Sequence, residues 1–565
     1  MIENDLFENQ AEKRKAYLDE ILNSGHRRKL IVAGPGTGKT FTFGEVFKKS
    51  KDNNNNLALT FIRKLVDDMG KELGDRAEVK TFHAYCKKLL HERNGRIELV
   101  PYLTKIIEAD AAFLGYNLSH FDEKFQTLAE DSQEVRFYLE RGDFYDAVSF
   151  NDAVFRLYRY VRDSAFELPI FNQIVVDEFQ DFNPLEVAFI EELEKKSPIL
   201  IVGDDDQAVY IGRNSSPDHL RMKYHSGDYQ VFQLPFCSRC PRVIVEATTA
   251  FIQNVVERGG FTERIDRPFI PFLEDKQHEN ATYPKIIRAT TTTIPCLSKF
   301  VTAEIQKIPE VEILEAHEKN YPCVLVVGKR QYLNPLAKKF REHFSNVNST
   351  EAPEINYSIL DAYEILRNQD DSNLGWRILA EFEFSSRQMR DFIKATLDGT
   401  PMKRILPPDF VDKHEKIISI LRTEQLGEDE RLELMALLGD LGDQVVKHFY
   451  AIEDEAKQEV DKSQPTILLS SFEGCKGLSA GHVFIVGLND SVVPKIGENG
   501  EVDDFECCKF IVALTRTRKR CYLLSNKWDY NPKEQKPFKP SIFIHLIPNQ
   551  FLDDKGNIAS KDINP

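Results

Sequence analysis

No stretch of this chain is apolar for long enough to cross a bilayer. The longest runs, such as HVFIVGL at 482–488, are strand-sized, far short of the roughly 20 residues that a helical span needs. The amino terminus, MIENDLFENQ, is polar and acidic and has no apolar core of the kind that marks a secretory leader. Nine cysteines are scattered without a framework spacing. That argues against a disulfide-stapled fold and fits a reducing, cytoplasmic setting. Internal repeats are absent. Positive charge is in deficit, with 74 Lys and Arg against 90 Asp and Glu, a net charge of −16. A chain that coats nucleic acid by bulk charge is therefore not expected, although a local basic groove in an acidic shell is compatible with these totals.

What is present is an ordinary globular composition, 42% apolar and 29% charged. At 565 residues the chain is too long for one hydrophobic core, so three or four domains or subdomains are expected. Strand-like runs recur at RKLIVAG, NLALTF, NQIVVDE, SPILIVGD, YPCVLVVG, TILLSS and HVFIVGL, with helical patterns between them. Such alternation predicts doubly wound α/β sheets, with strands enough for two. Two stretches break it and read as all-helical insertions. In 86–165, Phe150, Val154, Leu157 and Val161 keep helical spacing; in 381–462, Leu434, Leu438, Leu441, Val445 and Phe449 do the same.

The segment RKLIVAGPGTGKTFTF (28–43) carries the first chemistry. An apolar strand runs into Ala33, Gly34, Pro35, Gly36, Thr37, Gly38, Lys39 and Thr40, and a helix can begin near Lys39. The glycines let backbone N–H groups converge on phosphates without Cβ clashes. Lys39 is placed for the β and γ phosphates and the Thr40 hydroxyl for Mg²⁺. Ala33 stands where the strict pattern has its first glycine. A second buried strand, in NQIVVDEFQDFN (172–183), ends in Asp177, Glu178, Gln180 and Asp181, where unpaired charge would be costly. In a phosphate-loop fold a second strand ends beside the first and offers an acid to the same Mg²⁺. Asp177 fits that metal role and Glu178 the base that polarises water.

An ordered series of motifs over most of the chain resembles the UvrD/Rep family of superfamily 1 DNA helicases. Gln10, in LFENQ, sits where the family reads adenine. LALTFIRK (57–64) and KTFHAY (80–85) resemble the first two DNA-contact motifs, with Phe61, Arg63 (where an asparagine is usual) and His83 as contacts. VVDEFQD is close to the metal-binding string. GDDDQAVYIGR (203–213) puts Gln207 at the γ-phosphate and Tyr210 towards the bases. LPFCSRCPRVI (234–244) places Arg239 at the first phosphate-reading arginine. SSFEGCKGLSAGHVFIVGLND (470–490), with Gly477 among the nucleotide-binding residues, and FIVALTRTRKR (510–520), with Arg516 reaching across the cleft, resemble the last two motifs.

The resemblance implies two RecA-like P-loop NTPase domains, each with a mainly helical insertion. The first would span 1–85 and 166–240, with its insertion at 86–165. The second would span 241–380 and 463–545, with a short insertion at 381–462, leaving 546–565 as a tail. It further implies an ATP- and Mg²⁺-dependent enzyme that hydrolyses ATP between the two domains and moves 3′→5′ on single-stranded or partly duplex DNA, with no membrane association. Two other readings are carried beside it: a DNA-regulated ATPase sensor subunit in a nuclease-containing defence or repair complex, and an ATPase acting on RNA.

Several positions depart from the family pattern. Ser238 falls where an aromatic stacks on adenine, with Phe236 as a substitute two residues earlier. Gly212 stands where an aromatic stacks on DNA, Ser479 replaces a ribose-reading glutamate, and Glu473 replaces a histidine. Nothing after Arg520 resembles a nuclease or a basic partner-binding tail. CSRC (237–240) has metal-like spacing, but zinc needs four ligands and no second suitable pair exists, so structural thiols are expected. Arg156, Arg159 and Arg162 line one helix edge and are expected to form a solvated face rather than a DNA track.

Overall fold

The computed structural model describes residues 9–50, 55–95, 98–272, 284–350, 356–450, 461–490, 492–497, 501–530 and 536–563; the side chains of 63–65, 68 and 211 lie outside that description. Among the described residues no helix is long and apolar enough to cross a membrane.

The predicted strands assemble into two all-parallel sheets. The first contains β1 (Arg28–Ala33), β2 (Asn56–Thr60), β3 (Glu78–Thr81), β4 (Gln173–Val176), β5 (Ile199–Gly203) and β6 (Gln230–Leu234), in the order β3-β2-β4-β5-β1-β6. The second contains β7 (Ile286–Thr291), β8 (Val324–Val327), β9 (Val347–Ser349), β10 (Ile467–Ser470), β11 (Ala480–Val486), β12 (Thr517–Asn526) and β13 (Leu552–Ile558), in the order β9-β10-β8-β11-β12-β7-β13. Central strands such as β5 and β11 are buried along their whole length. That is why they read as unbroken apolar runs rather than as alternating ones. Helices cover both faces and leave the carboxyl ends of the strands open to a crevice.

The topology corrects one expectation. β4, which delivers the acids, does not lie beside the phosphate-loop strand β1; β5 is inserted between them. The registers Leu30↔Ile201 and Val176↔Ile201 bring all three strands out at one edge. The loops after β1, β4 and β5 therefore share a single space.

Two further boundaries move. The stretch expected to be a tail contains β13, which pairs with β7 from Ile286↔Leu552 onwards. Its sequence, LDDKGNI, is mostly exposed, because an edge strand needs little apolar content on its outer side. The second group of helices also begins before 381. Ile359–Asn368 and Asn373–Glu383 already belong to the helical body. The stripe from Leu434 to Phe449 is split by Gly439 at φ 58° into Glu428–Leu438 and Leu441–Tyr450.

The two helical insertions, one from each sheet, form a single roof. Phe121, Tyr138 and Phe155 of the first share one core with Tyr363, Trp376 and Ile393 of the second, and this core is continuous with β1 and β2. None of residues 359–450 enters the two cores of the second sheet. At the seam, Asp110 accepts hydrogen bonds from Arg141 (2.9 and 3.1 Å), Tyr145 (2.5 Å) and, from the other insertion, Arg377 (2.9 Å). Arg141 also donates across the seam to Thr396 at 2.9 Å. All five side chains are buried. The arginine face of 156–162 is partly drawn inward as well: Arg156 pairs with Asp143 and Asp152, and Arg162 with Glu130.

Asp110→Ala would leave two buried guanidinium groups without their shared carboxylate. Breaking a buried pair in this way costs about 3–5 kcal/mol. The variant should unfold its helical roof at lower temperature than the wild type in a calorimetric scan; an unchanged first transition would show that the seam contributes nothing.

Candidate active site

The loop after β1 is shaped by what it touches. Gly36 (φ 70°) and Gly38 (φ 89°) occupy the left-handed region that favours glycine. A Cβ on Gly36 would lie 2.4 Å from the Arg239 Cβ and 3.2 Å from the Cys237 sulfur, and Ser238 donates its N–H to the Gly36 carbonyl at 2.9 Å. The loop is further closed by the Thr37 hydroxyl, which donates to the Gly34 carbonyl at 3.0 Å. Gly38 is the N-cap of the helix Lys39–Lys49 and offers no side-chain acceptor. First-turn N–H groups left uncapped in this way form an anion site.

Facing this loop, β4 ends in a strained turn. Glu178 is a non-glycine residue at φ 55°, a conformation that costs of order 1–3 kcal/mol and that collects at functional sites. The Lys39 ammonium lies 2.8 Å from Glu178 Oε1 and 3.7 Å from Asp177 Oδ1. Gln180 donates to Glu178 Oε2 at 2.7 Å. From the second sheet, Lys476 reaches Asp181 at 2.5 Å and Glu178 at 3.5 Å, and donates to the Gln207 carbonyl at 2.5 Å. Burial pushes the Asp177 and Asp181 carboxyls up to about 6. Burial acts on Glu178 in the same direction, but Lys39 and Lys476 override it and hold that carboxyl well below the usual carboxylate range. The result is one firmly ionised acid beside two whose charged forms burial disfavours.

The turn after β5 supplies the link between the sheets. Gln207 donates to Asp204 at 2.6 Å and accepts from Arg516 at 3.1 Å. Arg516 is buried, and its other acceptors are the Val512 and Leu478 carbonyls and the Thr515 hydroxyl. All are neutral. Burial and the neighbouring Arg239 push Arg516 down to about 10, still cationic at neutral pH and suited to an incoming anion. Behind the turn, Arg267 pairs with Asp204 (2.6 Å) and Asp206 (3.2 Å), Arg264 with Asp206 (2.7 Å), and Arg221 with Asp205 (3.1 Å). Among the described residues, these three aspartates are the one group of three or more His, Cys, Asp or Glu side chains with ligand atoms all within 4.8 Å of one another. Their arginine partners make them a guanidinium-held turn instead.

A cavity of 430 Å³ gathers the expected residues Pro35, Gly36, Thr37, Gly38, Lys39, Thr40, Asp177, Glu178, Gln207, Arg239, Gly477 and Arg516. The Thr40 hydroxyl and the Asp177 carboxylate are hard oxygen donors that suit Mg²⁺, and the raised Asp177 pKa is what a cation would relieve. Three expected residues lie off the cavity. Ala33 closes β1, Gly34 packs against Arg267, and Gln10 is buried with its amide donating to the Pro271 carbonyl at 3.3 Å. Phe236 is not an available base platform: it is buried edge-on against Tyr17 and Phe272. The aromatic ring that does open onto space is Phe41, in an adjoining cavity of 420 Å³ that Arg14, Leu18 and the buried Phe272 also line. Ser479 accepts from Arg518 at 2.9 Å.

On the far side of the turn, Phe61, His83 and Tyr210 come together. Phe61 packs on His83 (6.1 Å) and Tyr210 (5.7 Å), with the Arg213 guanidinium 4.1 Å over its ring. Tyr210 donates across to the Glu473 carbonyl at 3.3 Å. The Arg63 side chain lies outside the described residues. Sequence reasoning missed Arg267, Lys476, Phe41 and Phe272. For the first two a signal existed, since acids crowded at the exits of buried strands require cations, but nothing local says which cations.

Gly36→Ala should destabilise the chain by about 1–3 kcal/mol through backbone strain, in addition to the clash with Arg239. Gly70→Ala, at an open helical site, should instead be stabilising by about 0.5–1 kcal/mol. Urea midpoints of the two variants check the contrast.

The family described as an AAA domain matches residues 19–213, from ahead of the phosphate loop to Arg213. A probable DNA helicase II homolog of Mycoplasma capricolum is 22% identical, covering 92% of this chain and 85% of its own length. The ATP-dependent DNA helicase PcrA of Staphylococcus epidermidis is also 22% identical, at 95% and 86% coverage. A probable DNA helicase II homolog of Mycoplasma genitalium is 20% identical, at 94% and 87%. Over most of its length the chain is thus similar to proteins named DNA helicase II and PcrA, and its residues 19–213 match the AAA domain family.

Proposed function

We propose that the chain is an ATP-dependent DNA helicase or translocase. It hydrolyses ATP in the crevice between two RecA-like lobes and moves 3′→5′ along single-stranded DNA. The first lobe is built on 1–85 and 166–240 with the insertion 86–165; the second is built on the remainder, with the helices from 359 to 450 as its insertion. One observation carries this reading above the others. The turn 204–210 holds Arg516 through Gln207 at one end and joins the aromatic patch through Tyr210 at the other. A change in lobe spacing at the phosphates is then also a change at the bases. The names of the relatives, DNA helicases, agree with it.

In this scheme the uncapped N–H groups after Gly38 and the Lys39 ammonium hold phosphate oxygens. Thr40 and Asp177 would hold Mg²⁺, which would supply positive charge to the phosphates. Glu178, kept ionised by its lysines, accepts the proton of the attacking water. Arg239 and Arg516 meet the charge that develops on the transferring phosphoryl group, a contribution worth about 10³–10⁵ in rate for such arginines. Arg267 keeps Asp204, and through it Gln207, in place. Phe61 and Tyr210 offer base-stacking faces worth roughly 1–3 kcal/mol per base, without sequence preference. His83 and Arg63 are assigned to the same strand path, and Gln10, Ala33, Gly34 and Gly477 to the nucleotide side.

The test is ATP turnover of the purified chain with and without single-stranded DNA, paired with a strand-displacement assay. Turnover should rise strongly with DNA; background values in both assays would end the motor reading. Lys39→Ala should abolish turnover. Glu178→Gln should retain ATP and DNA binding while losing about 10²–10⁴-fold in turnover, the range for a positioned general base.

A further inference from the structure

The CSRC segment is not spent on metal, and it sits at the most crowded point of the site. Cys237 ends the short strand Phe236–Cys237, and Cys240 precedes the helix Arg242–Glu257 by two residues. The Cys240 N–H donates to the Cys237 sulfur at 3.4 Å, so the two residues face each other across Ser238 and Arg239. Both are buried, and both pack into the core that belongs to the second sheet. Each sulfur also touches one half of the phosphate machinery. Cys237 packs behind Gly36, 3.2 Å from where a Cβ on that glycine would stand. The Cys240 thiol donates to the Thr515 carbonyl at 3.2 Å, one residue before Arg516. Arg239 lies between the two cysteines in the chain.

We propose that Cys237 and Cys240 form a redox-sensitive pair, and that a hydroperoxide converts them to a disulfide that lowers ATP turnover by displacing Arg239 and freeing the Thr515 carbonyl. This rests on the reading of the crevice as an ATPase site. The chemistry balances with the peroxide as the two-electron oxidant. The Cys237 thiolate attacks the outer peroxide oxygen and the O–O bond breaks. A sulfenic acid forms, and the leaving alkoxide or hydroxide takes up a proton. The Cys240 sulfur, losing its proton, then attacks the Cys237 sulfur; hydroxide departs and leaves as water.

Three features make this pair the candidate among nine buried cysteines. The first is the two-residue spacing, which brings one sulfur within reach of the other. The second is thiolate character: burial alone would raise the Cys237 thiol, but the Cys240 N–H and the Arg239 charge bring it below the usual thiol range. The third is access. Cys237 is itself buried, but its immediate neighbours Gly36, Ser238 and Arg239 line the 430 Å³ cavity, so peroxide from the crevice has only this one layer of residues to pass, and bound nucleotide would shield the pair. A disulfide requires an S–S separation near 2.05 Å. Closing that distance withdraws the Cys240 S–H from Thr515 and bends the Ser238–Arg239 bridge, which has no slack against Gly36.

The experiment treats the full-length reduced chain with hydrogen peroxide, with and without MgATP. Peptide mapping under non-reducing conditions and ATP turnover are read on the same samples. The expected result is a Cys237–Cys240 link formed in parallel with a loss of turnover of about tenfold or more, the scale on which an arginine at the transferring phosphoryl group matters. Dithiothreitol should reverse it, MgATP should slow it, and Cys240→Ser, which keeps a donor to Thr515, should retain turnover after peroxide. Absence of the link in the wild type overturns the proposal, as does a complete link with undiminished turnover, or equal peroxide sensitivity in Cys240→Ser. Turnover of the untreated reduced chain tests the ATPase reading separately. The mapping needs neither activity nor a variant, so failure of one is distinguishable from failure of the other.

Discussion

Everything in the crevice depends on how three buried carboxylates are kept from repelling one another. Asp177, Glu178 and Asp181 emerge within five residues of a strand that has no water on either face. Lys39 from the same lobe and Lys476 from the other lobe meet them. Coulombic attraction at these distances is strong in a poorly polarisable interior, yet two lysines do not fully offset three acids. Burial raises the Asp177 and Asp181 carboxyls despite the lysines, and only at Glu178 do the lysines outweigh it. The lobes are thus joined through the acids themselves, and any group that competes for Lys39 alters the bond between the lobes.

A second chain of polar contacts also joins the two lobes. Arg267 fixes Asp204, Asp204 fixes the Gln207 amide, and Gln207 receives Arg516. Each member is buried and each link is a hydrogen bond, so displacement of one guanidinium is passed to the next rather than absorbed by solvent. The same short turn ends in Tyr210, whose ring touches Phe61 and whose hydroxyl touches the opposite lobe.

Much of this was legible in the order of residues. The parallel strands showed themselves as short apolar runs, and the phosphate loop and the acid string are local, with chemistry and spacing written within a dozen residues. Long-range pairings were hidden. Arg267 and Lys476 lie 63 residues beyond Asp204 and 295 beyond Asp181 in the chain, and no local pattern ties either to its partner. Phe236 was read as a substitute for the aromatic missing at Ser238, but the fold spends it on a core contact and leaves Phe41 exposed instead. β13 was invisible because an edge strand can be polar, and the insertion of β5 between β1 and β4 is a matter of strand order, which no motif records.

The shared roof has a mechanical meaning. Its second half is covalently an outgrowth of one sheet but is packed, apolar side chain to apolar side chain, onto the other. Such a cross-braced canopy travels as cargo of the lobe it rests on, whichever lobe it is tethered to. Rotation between the sheets must then be absorbed where the second sheet hands the chain to its own helices and receives it back. The roof then keeps its place on the first sheet, and the second sheet with its own covering helices is the part left to turn against it.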